Sequence, residues 1–448
     1  MGSNLHEYRL EDCMEAIIDY RGKTPKKTTS GIPLITAKII KNGRVQEVNE
    51  FIAEEDYDSW MRRGIPKAGD VVLTTEAPLG EVAQLDDRKI ALAQRVITLR
   101  GKKGLLDNDY LKYLLLSKEV QHQLDGRGTG TTVKGIKQSE LREIKLRFPE
   151  FDVQRGIAHV LKTLDDKIEL NRQTNQTLEQ MAQALFKCWF VDFDPVIDNA
   201  LAAGNDIPEA LHHKAEQRKQ AQQSPEFKPL PDDIRALFPN EFEQTDEASI
   251  GIAGWIPKGW SAGNLSSLTK FTSNRIDGTE LTLDNYISTD NMLPNKGGVS
   301  TASKVPDIKT TPSFKPGDIL ISNIRPYFQK IWFATFSGGR SNDVLGFEAN
   351  DEQCKEYLLN LLYQDVFFDY MMTTSKGSKM PRGDKKAIMD WPVVIPPSSL
   401  QKFFSENVKN YYQVIPIRNK ESEALSQLRD ILLPKLISGE ITINKDVA

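Results

Sequence analysis

From Asp152 to about Val191 the apolar positions of the chain fall on one repeating stripe. Ile157, Leu161, Leu164, Ile168, Asn171, Asn175, Leu178, Ala182, Leu185 and Trp189 recur at alternating spacings of four and three, the a/d seam of a heptad pattern. The seam is apolar at both ends and polar at Asn171 and Asn175. No Gly or Pro follows Gly156 in this stretch, so the pattern predicts one helix of roughly 39 residues, about 58 Å long at 1.5 Å per residue. A second seam, Phe404, Val408, Tyr411, Ile415, Arg418, Ser422, Leu425, Arg429, Leu432 and Leu436, predicts another long helix, again polar in its middle. Ser398 and Gln401 have the spacing of a capping box at its start. Pro416 lacks an N–H and predicts a kink halfway along. Each helix offers a single apolar seam, so the two are expected to pair, with polar layers at matching depth to set their register.

Every position of the second seam is a position of the first plus 247. The same offset relates Gly130 to Gly377, Pro149 to Pro396 and Gln154 to Gln401, and Lys67-Ala68-Gly69-Asp70 is echoed 248 residues on by Lys315-Pro316-Gly317-Asp318. In both echoes Gly-Asp is a natural tight turn into a β-rich run. Two copies make a pseudo-two-fold molecule, the symmetry that a two-fold partner such as duplex DNA matches. Strands are expected at 32–36, 69–74 and 96–99, and a helix from Tyr110 to Val120. The organisation read from these signals is a globular domain at 1–151, a helix at 152–191, a Pro-interrupted linker at 192–250, a second globular domain at 251–397, a helix at 398–439 and a tail at 440–448. A charged, Gln-rich piece from Ala215 to Gln223 suits a surface helix within the linker. The fold class is α+β: two similar mixed α/β domains separated by two long coiled-coil helices. If a two-fold relates the repeats, the helices run antiparallel and the domains sit at opposite ends of a rigid spacer.

Composition changes this picture little. The chain has 448 residues, 39% hydrophobic and 27% charged, as a soluble globular protein does. No run approaches eighteen apolar residues, and the N-terminus lacks the form of a secretory signal. Cys13, Cys188 and Cys354 are scattered and make no disulfide framework, which suits a cytoplasmic location. The net charge of −4 is unusual for a nucleic-acid binder, but the basic residues are clumped. Arg21, Lys23, Lys26 and Lys27 share one stretch, and Lys376, Lys379, Arg382, Lys385 and Lys386 share another. Catalytic signatures are missing. There is no P-loop, no acidic or Asn residue ahead of a Pro-Pro-aromatic, and no metal pattern among the five histidines. Glu143-Ile144-Lys145 and Glu226-Phe227-Lys228 fit half of a Mg²⁺-dependent nuclease motif, a three-residue pattern common by chance.

Four further landmarks carry a family resemblance. They are Gly128-Thr129-Gly130-Thr131-Thr132 ahead of Leu141 to Ile144, Phe190-Val191-Asp192-Phe193-Asp194-Pro195 after the first helix, Ile256-Pro257-Lys258-Gly259-Trp260 opening the second half, and 432–441 closing it. In this order, on an internal duplication, the chain resembles the specificity (S) subunit of a type I restriction–modification system along its whole length. The resemblance implies two target recognition domains, each reading one half of a bipartite site in double-stranded DNA, with the helices as a ruler between them. A rod of about 58 Å spans at most on the order of 17 base pairs at 3.4 Å each. The resemblance also implies no catalysis and no cofactor in this chain. Two methylation (M) subunits would bind S-adenosylmethionine, and restriction (R) subunits, joined through M, would bind Mg²⁺ and ATP. The alternatives from other classes are a Mg²⁺-dependent endonuclease with duplicated DNA-binding domains and a coiled-coil scaffold for proteins alone.

Three regions are candidates for holding DNA, since phosphate contacts position and base contacts specify. The first is the basic loop with Arg21, Lys23, Lys26 and Lys27, matched in the second copy by Asn274 and Arg275; it is either a DNA contact or an ordinary solvated loop. The second follows the Gly-Asp strand: Thr74, Thr75 and Glu76 in one copy, Asn323, Arg325 and Tyr327 in the other, where Ser322-Asn323 also reads as a plain turn. The third is the Gly-rich loop: Arg127, Thr129, Thr131, Lys134 and Lys137, against Lys376, Lys379, Arg382 and Lys385. Both copies of it stay basic while their letters diverge, which suggests different half-sites. Trp189, Leu185, Leu432 and Leu436 read as coiled-coil core, and Phe190 and Phe193 as either partner contacts or a cap on the helices.

Overall fold

The computed structural model describes residues 5–20, 24–130, 133–377 and 379–443. The chain divides into two compact units, Met1–Arg172 with Asn419–Ala448, and Gln173–Arg418. This division differs from the one the sequence suggests. It cuts both long helices in their polar middles, because each globular core continues onto half of each helix. In the first unit Ile157, Leu161, Leu436 and Ile437 are buried in one cluster with Tyr110, Leu114 and Phe148. In the second, Phe186, Trp189, Phe404 and Val408 are buried with Tyr357, Leu358 and Trp391.

Each unit is built on a four-stranded antiparallel sheet. In the first, β1 (Met14–Asp19), β2 (Val71–Thr75), β3 (Leu79–Gln84) and β4 (Val96–Gly101) lie in the order β1-β4-β2-β3. In the second, β5 (Thr269–Phe271), β6 (Ile319–Ser322), β7 (Ile331–Phe333) and β8 (Val344–Ala349) repeat it as β5-β8-β6-β7. β2 is a continuous apolar run because both its faces are covered. Val71 and Leu73 face the helical core, while Val72 faces a smaller cluster with Leu34 and Ile52. Ile319 and Ile321 against Leu320 do the same in β6.

The turn before each of these strands is duplicated in detail. Gly69 and Gly317 have φ of +83° and +92°, the left-handed region open to glycine. The Asp70 carboxylate accepts the Lys67 N–H at 2.8 Å, and Asp318 accepts that of Lys315 at 2.9 Å. Both carboxylates are buried. Arg100 covers the first with two hydrogen bonds of 2.7 Å, whereas burial pushes the Asp318 carboxyl pKa up.

The helix expected from Tyr110 to Val120 is two helices, Asn108–Leu116 and Lys118–Arg127. Ser117 turns the corner: its hydroxyl donates to the Leu114 carbonyl at 2.6 Å and accepts from the Val120 N–H at 3.4 Å, so one residue closes one helix and caps the next. The pair Lys355–Leu362 and Asp365–Thr373 begins 247 residues after it.

The long helices are Phe151–Phe186, extended by a π-helical turn at Lys187–Val191, and Ser398–Ile437. All twenty seam positions named above are buried or half-buried. Within the first unit Arg429 bonds Asp165 at 2.8 Å, and the Asn171 amide donates to Glu421 and Ser422 at 2.7 and 3.3 Å. Within the second, Asn175 donates to the Ile415 carbonyl at 3.4 Å and Phe186 packs on Phe404 with ring centroids 5.7 Å apart. In each unit numbers rise along one helix as they fall along the other, so the pairing is antiparallel. Burial disfavours the Asp165 charge, but Lys112, Arg429 and the Tyr113 hydroxyl outweigh it and hold the pKa below the usual carboxylate range.

The helical span of the second long helix continues through Pro416, and Tyr411 and Tyr412 ahead of it are packed on the apolar core. Two expectations need correction. Ser398 is not a cap but the first helical residue. Gln401 does not reach back to the N-cap; its buried side-chain amide donates to the Pro396 carbonyl at 2.8 Å. Gln154 makes the same bond to Pro149 at 2.9 Å, which explains why Pro and Gln recur together in both copies. Finally, 192–250 holds more packed structure than a linker with one surface helix. Its helical segments Asp194–Ala203, Glu209–Leu211 and His212–Gln222 bury Val196, Ile197, Ala200, Leu211 and Ala215. Its helical segments are too short for their periodicity to outweigh six prolines.

Glu179, on the first long helix, gives the second unit a pH dependence. Burial pushes its carboxyl from the ordinary value of 4.5 up to about 7. A raised acid favours the fold below its unfolded pKa, and that contribution is lost as pH rises through the folded value. The melting temperature should therefore fall between pH 5 and pH 8. Glu179→Gln should flatten that fall and stabilise the protein at pH 8 by on the order of 1 kcal/mol, read by thermal denaturation at the two pH values.

Candidate nucleic-acid interface

The structure joins the second and third candidate regions into one element. In the first unit Thr129 and Gly135 exchange N–H···O bonds of 2.8 and 3.0 Å, closing a tight hairpin. The Ile136 N–H donates to the Thr75 carbonyl at 2.9 Å and docks that hairpin on the end of β2. In the second unit Lys376 and Arg382 exchange bonds of 2.9 and 3.0 Å, and the Gly383 N–H donates to Asn323 at 3.2 Å at the end of β6. The anchors Thr129/Lys376 and Gly135/Arg382 differ by 247, and Thr75/Asn323 by 248.

Glycine is required where each hairpin turns. Gly130 has φ +115°, and a Cβ there would lie 2.3 Å from the Val133 carbonyl oxygen; Gly377 has φ +95° with 3.3 Å to that of Met380. Beside each hairpin the strand leaves through a left-handed residue followed by proline, Ala77-Pro78 (φ +52° at Ala77) and Arg325-Pro326 (φ +50° at Arg325). Non-glycine residues in this region are uncommon and mark a backbone held by its surroundings.

The candidate side chains separate into builders and presenters. Thr74 and Thr75 are 0% and 3% exposed, and the Thr74 hydroxyl accepts the Glu81 N–H at 2.9 Å. They are framework rather than contact residues, because β2 is covered on both faces. Asn323 is also buried, and its side-chain amide donates to the Gly383 carbonyl at 3.2 Å, lashing the hairpin to β6. Arg325 is half-buried and its backbone N–H bonds the Pro381 carbonyl at 2.8 Å. Tyr327 is exposed and rests on Phe328 with centroids 4.6 Å apart.

The cations are presented differently. Thr129 is exposed, as are Lys26, Lys137, Lys379 and Lys385, which have no carboxylate within ion-pair distance among the described residues. Arg127 pairs with Glu140 at 3.0 Å, Lys134 with Asp125 at 2.9 Å, Lys27 with Glu50 at 2.7 Å, Arg382 with Asp343 at 3.2 Å, and Lys376 with Asp384. Exposed pairs of this kind contribute about 0–1 kcal/mol and can exchange a carboxylate for a phosphate. Arg21, Lys23 and Thr131 lie outside the described residues.

The first candidate region does not share this element. Lys26 and Lys27 precede a bridge between Thr28 and Phe51 at the edge of a separate small sheet. Arg275 belongs to a strand paired with Thr310–Phe314, and its guanidinium is spent on Thr310, donating to the hydroxyl at 3.0 Å and the carbonyl at 2.9 Å. Asn274 beside it is exposed. Phe190 and Phe193 are buried against Trp260, which decides for packing.

Sequence reasoning missed Gln94, Arg95 and Asp343. The residue just before the last sheet strand bonds to the same anchor in both units: Thr75 N–H to the Arg95 carbonyl at 3.0 Å, Asn323 N–H to that of Asp343 at 2.8 Å. The 248 offset was the available signal. No group of three or more His, Cys, Asp or Glu side chains gathers as a metal site among the described residues, and no helix there is long and apolar enough to cross a membrane.

The local geometry makes the first hairpin the more easily broken. Gly130→Ala should speed amide hydrogen exchange at Thr129 and Gly135 severalfold while leaving the sheet protected; Gly377→Ala should disturb its hairpin less.

Comparisons with known proteins fit this architecture. Residues 3–180 match the family model described as the type I restriction modification DNA specificity domain. Over 433 residues the chain is 25% identical to the MjaIX type I restriction enzyme specificity subunit of Methanocaldococcus jannaschii, covering 92% of this chain and 88% of that one. It is 26% identical over 372 residues to the HindI specificity subunit of Haemophilus influenzae, covering 78% and 81%. The crystal structure of the S subunit of a type I restriction–modification system from M. genitalium shares the fold, with TM-score 0.53 and 16% identity over 97% of this chain and 96% of that one. The matched family model and both relatives are of type I restriction–modification specificity proteins, and a solved S subunit shares the fold.

Proposed function

We propose that this chain is the DNA-reading subunit of a type I restriction–modification complex and performs no chemistry itself. Each unit reads one half of a bipartite site in double-stranded DNA. The paired helices set the gap between halves and dock two M subunits, which bring S-adenosylmethionine; R subunits join through M and bring Mg²⁺ and ATP. The complex works in the cytoplasm, where its DNA is.

One observation carries this reading. The same hairpin-on-strand frame is built twice, 247 residues apart, and the two copies carry different exposed side chains. A frame kept while its surface changes suits two readers of different sequences. The exposed lysines at 26, 137, 379 and 385 suit phosphate contacts, which position without specifying. The comparisons lend no support to the endonuclease alternative.

The direct test reconstitutes the chain with its M subunits and maps methylated adenines. A bipartite motif with a fixed gap is expected, and plasmid cleavage by the chain alone with Mg²⁺ would overturn the reading. The ruler makes a sharper prediction. Inserting four residues, about one helical turn, in both long helices near Asn175 and Ser422 should lengthen the gap and leave both half-sites unchanged. Altered half-sites with the old gap would reject it.

A further inference from the structure

The residue that closes each frame from the side differs in charge between the units: Arg95 in the first, Asp343 in the second. Backbone bonds fix both at equivalent places, so the fold does not demand either side chain. In the first unit Arg95 lines a cavity of about 420 Å³ between the hairpin and the end of β2, together with Glu76, Gln94 and Lys137. The Arg95 and Glu76 side chains are 48% and 43% exposed, and their closest approach is 3.7 Å. That is too long for a hydrogen bond. The guanidinium is therefore poised beside a carboxylate without being committed to it.

This pair has the polarity of a base-pair edge. In the major groove guanine shows two acceptors, O6 and N7, and its cytosine shows one donor, N4. A guanidinium fork beside a carboxylate is the complement of that pattern. A phosphate would use only the guanidinium, whereas the base-pair edge has a partner for both charges. Resting on the function proposed above, we infer that Arg95 determines specificity in the first unit: with Glu76 it reads one G·C pair, Arg95 donating to O6 and N7 and Glu76 accepting from N4. In the second unit the corresponding position holds an acid already paired with Arg382 at 3.2 Å, so the two half-sites differ at this point.

The experiment uses the complete complex with M subunits, mapping methylated adenines and measuring DNA affinity against salt for wild type, Arg95→Ala and Arg95→Lys. Wild type should require G·C at one position of one half-site. Both variants should lose that preference, by about tenfold or more, with the other half-site and the gap unchanged. Arg95→Lys keeps the charge but not the fork, so its salt dependence should match wild type. An unchanged half-site in Arg95→Lys, or a uniform loss of affinity for every sequence in Arg95→Ala, would overturn the inference and leave the proposed function standing. A wild-type complex with no bipartite methylation would overturn both.

Discussion

Neither globular domain closes its core without the long helices. Phe148, Tyr110 and Leu114 of the first unit are completed by Ile157 and Leu161 from one helix and Leu436 from the other. In the second, Phe186, Trp189 and Phe404 form an aromatic knot with Phe190 and Tyr357. Each such buried side chain contributes about 1.5–3 kcal/mol, so antiparallel pairing is a condition of folding each unit. The helices are parts of two cores before they are anything else.

That constraint explains the polar middle of the seams. Asn171 and Asn175 are buried, and their amides find Glu421, Ser422 and the Ile415 carbonyl across the pair. A one-turn slip would strand these groups against apolar neighbours, and a buried amide without a partner costs about 1–3 kcal/mol. The apolar ends supply the adhesion and the asparagines fix the register. Asp165 extends the same logic, tying the Lys112 and Tyr113 side chains to Arg429 with contacts of 2.8 Å.

Both seams, their antiparallel pairing and the duplicated domains were legible because periodicity and offset are long-range signals that survive local divergence. The strands at 32–35, 71–75 and 96–101 were legible from apolar runs after turn residues. What failed was short-range. Ser117 breaks a helix through one hydroxyl, Ser398 and Gln401 look like a capping box but bond otherwise, and the prolines of 192–250 hid the helix Asp194–Ala203, while the Gln-rich piece did mark the helix His212–Gln222. At the candidate site the sequence singled out two regions that the structure brings together, without separating their buried residues from their exposed ones. Thr74, Thr75 and Asn323 have polar side chains suited to DNA, and only burial shows that they are spent on the frame.

Burial also explains how one scaffold can be built twice with different surfaces. Most of the groups that hold each hairpin are backbone N–H and C=O, at Thr129, Thr75, Gly135 and Ile136 or at Lys376, Asn323, Arg382 and Gly383, with the Asn323 side-chain amide added in the second unit. Backbone bonds are indifferent to side-chain identity, so the frame tolerates Thr, Lys, Gly or Arg at its anchors provided that a glycine makes the turn. Change is then confined to side chains that point away from the core, where substitutions seldom shift stability by more than about 0.5 kcal/mol. Arg95 and Asp343 occupy equivalent places with opposite charge under that tolerance. The more completely the frame is held by main chain, the more freely its exposed positions can differ between the units.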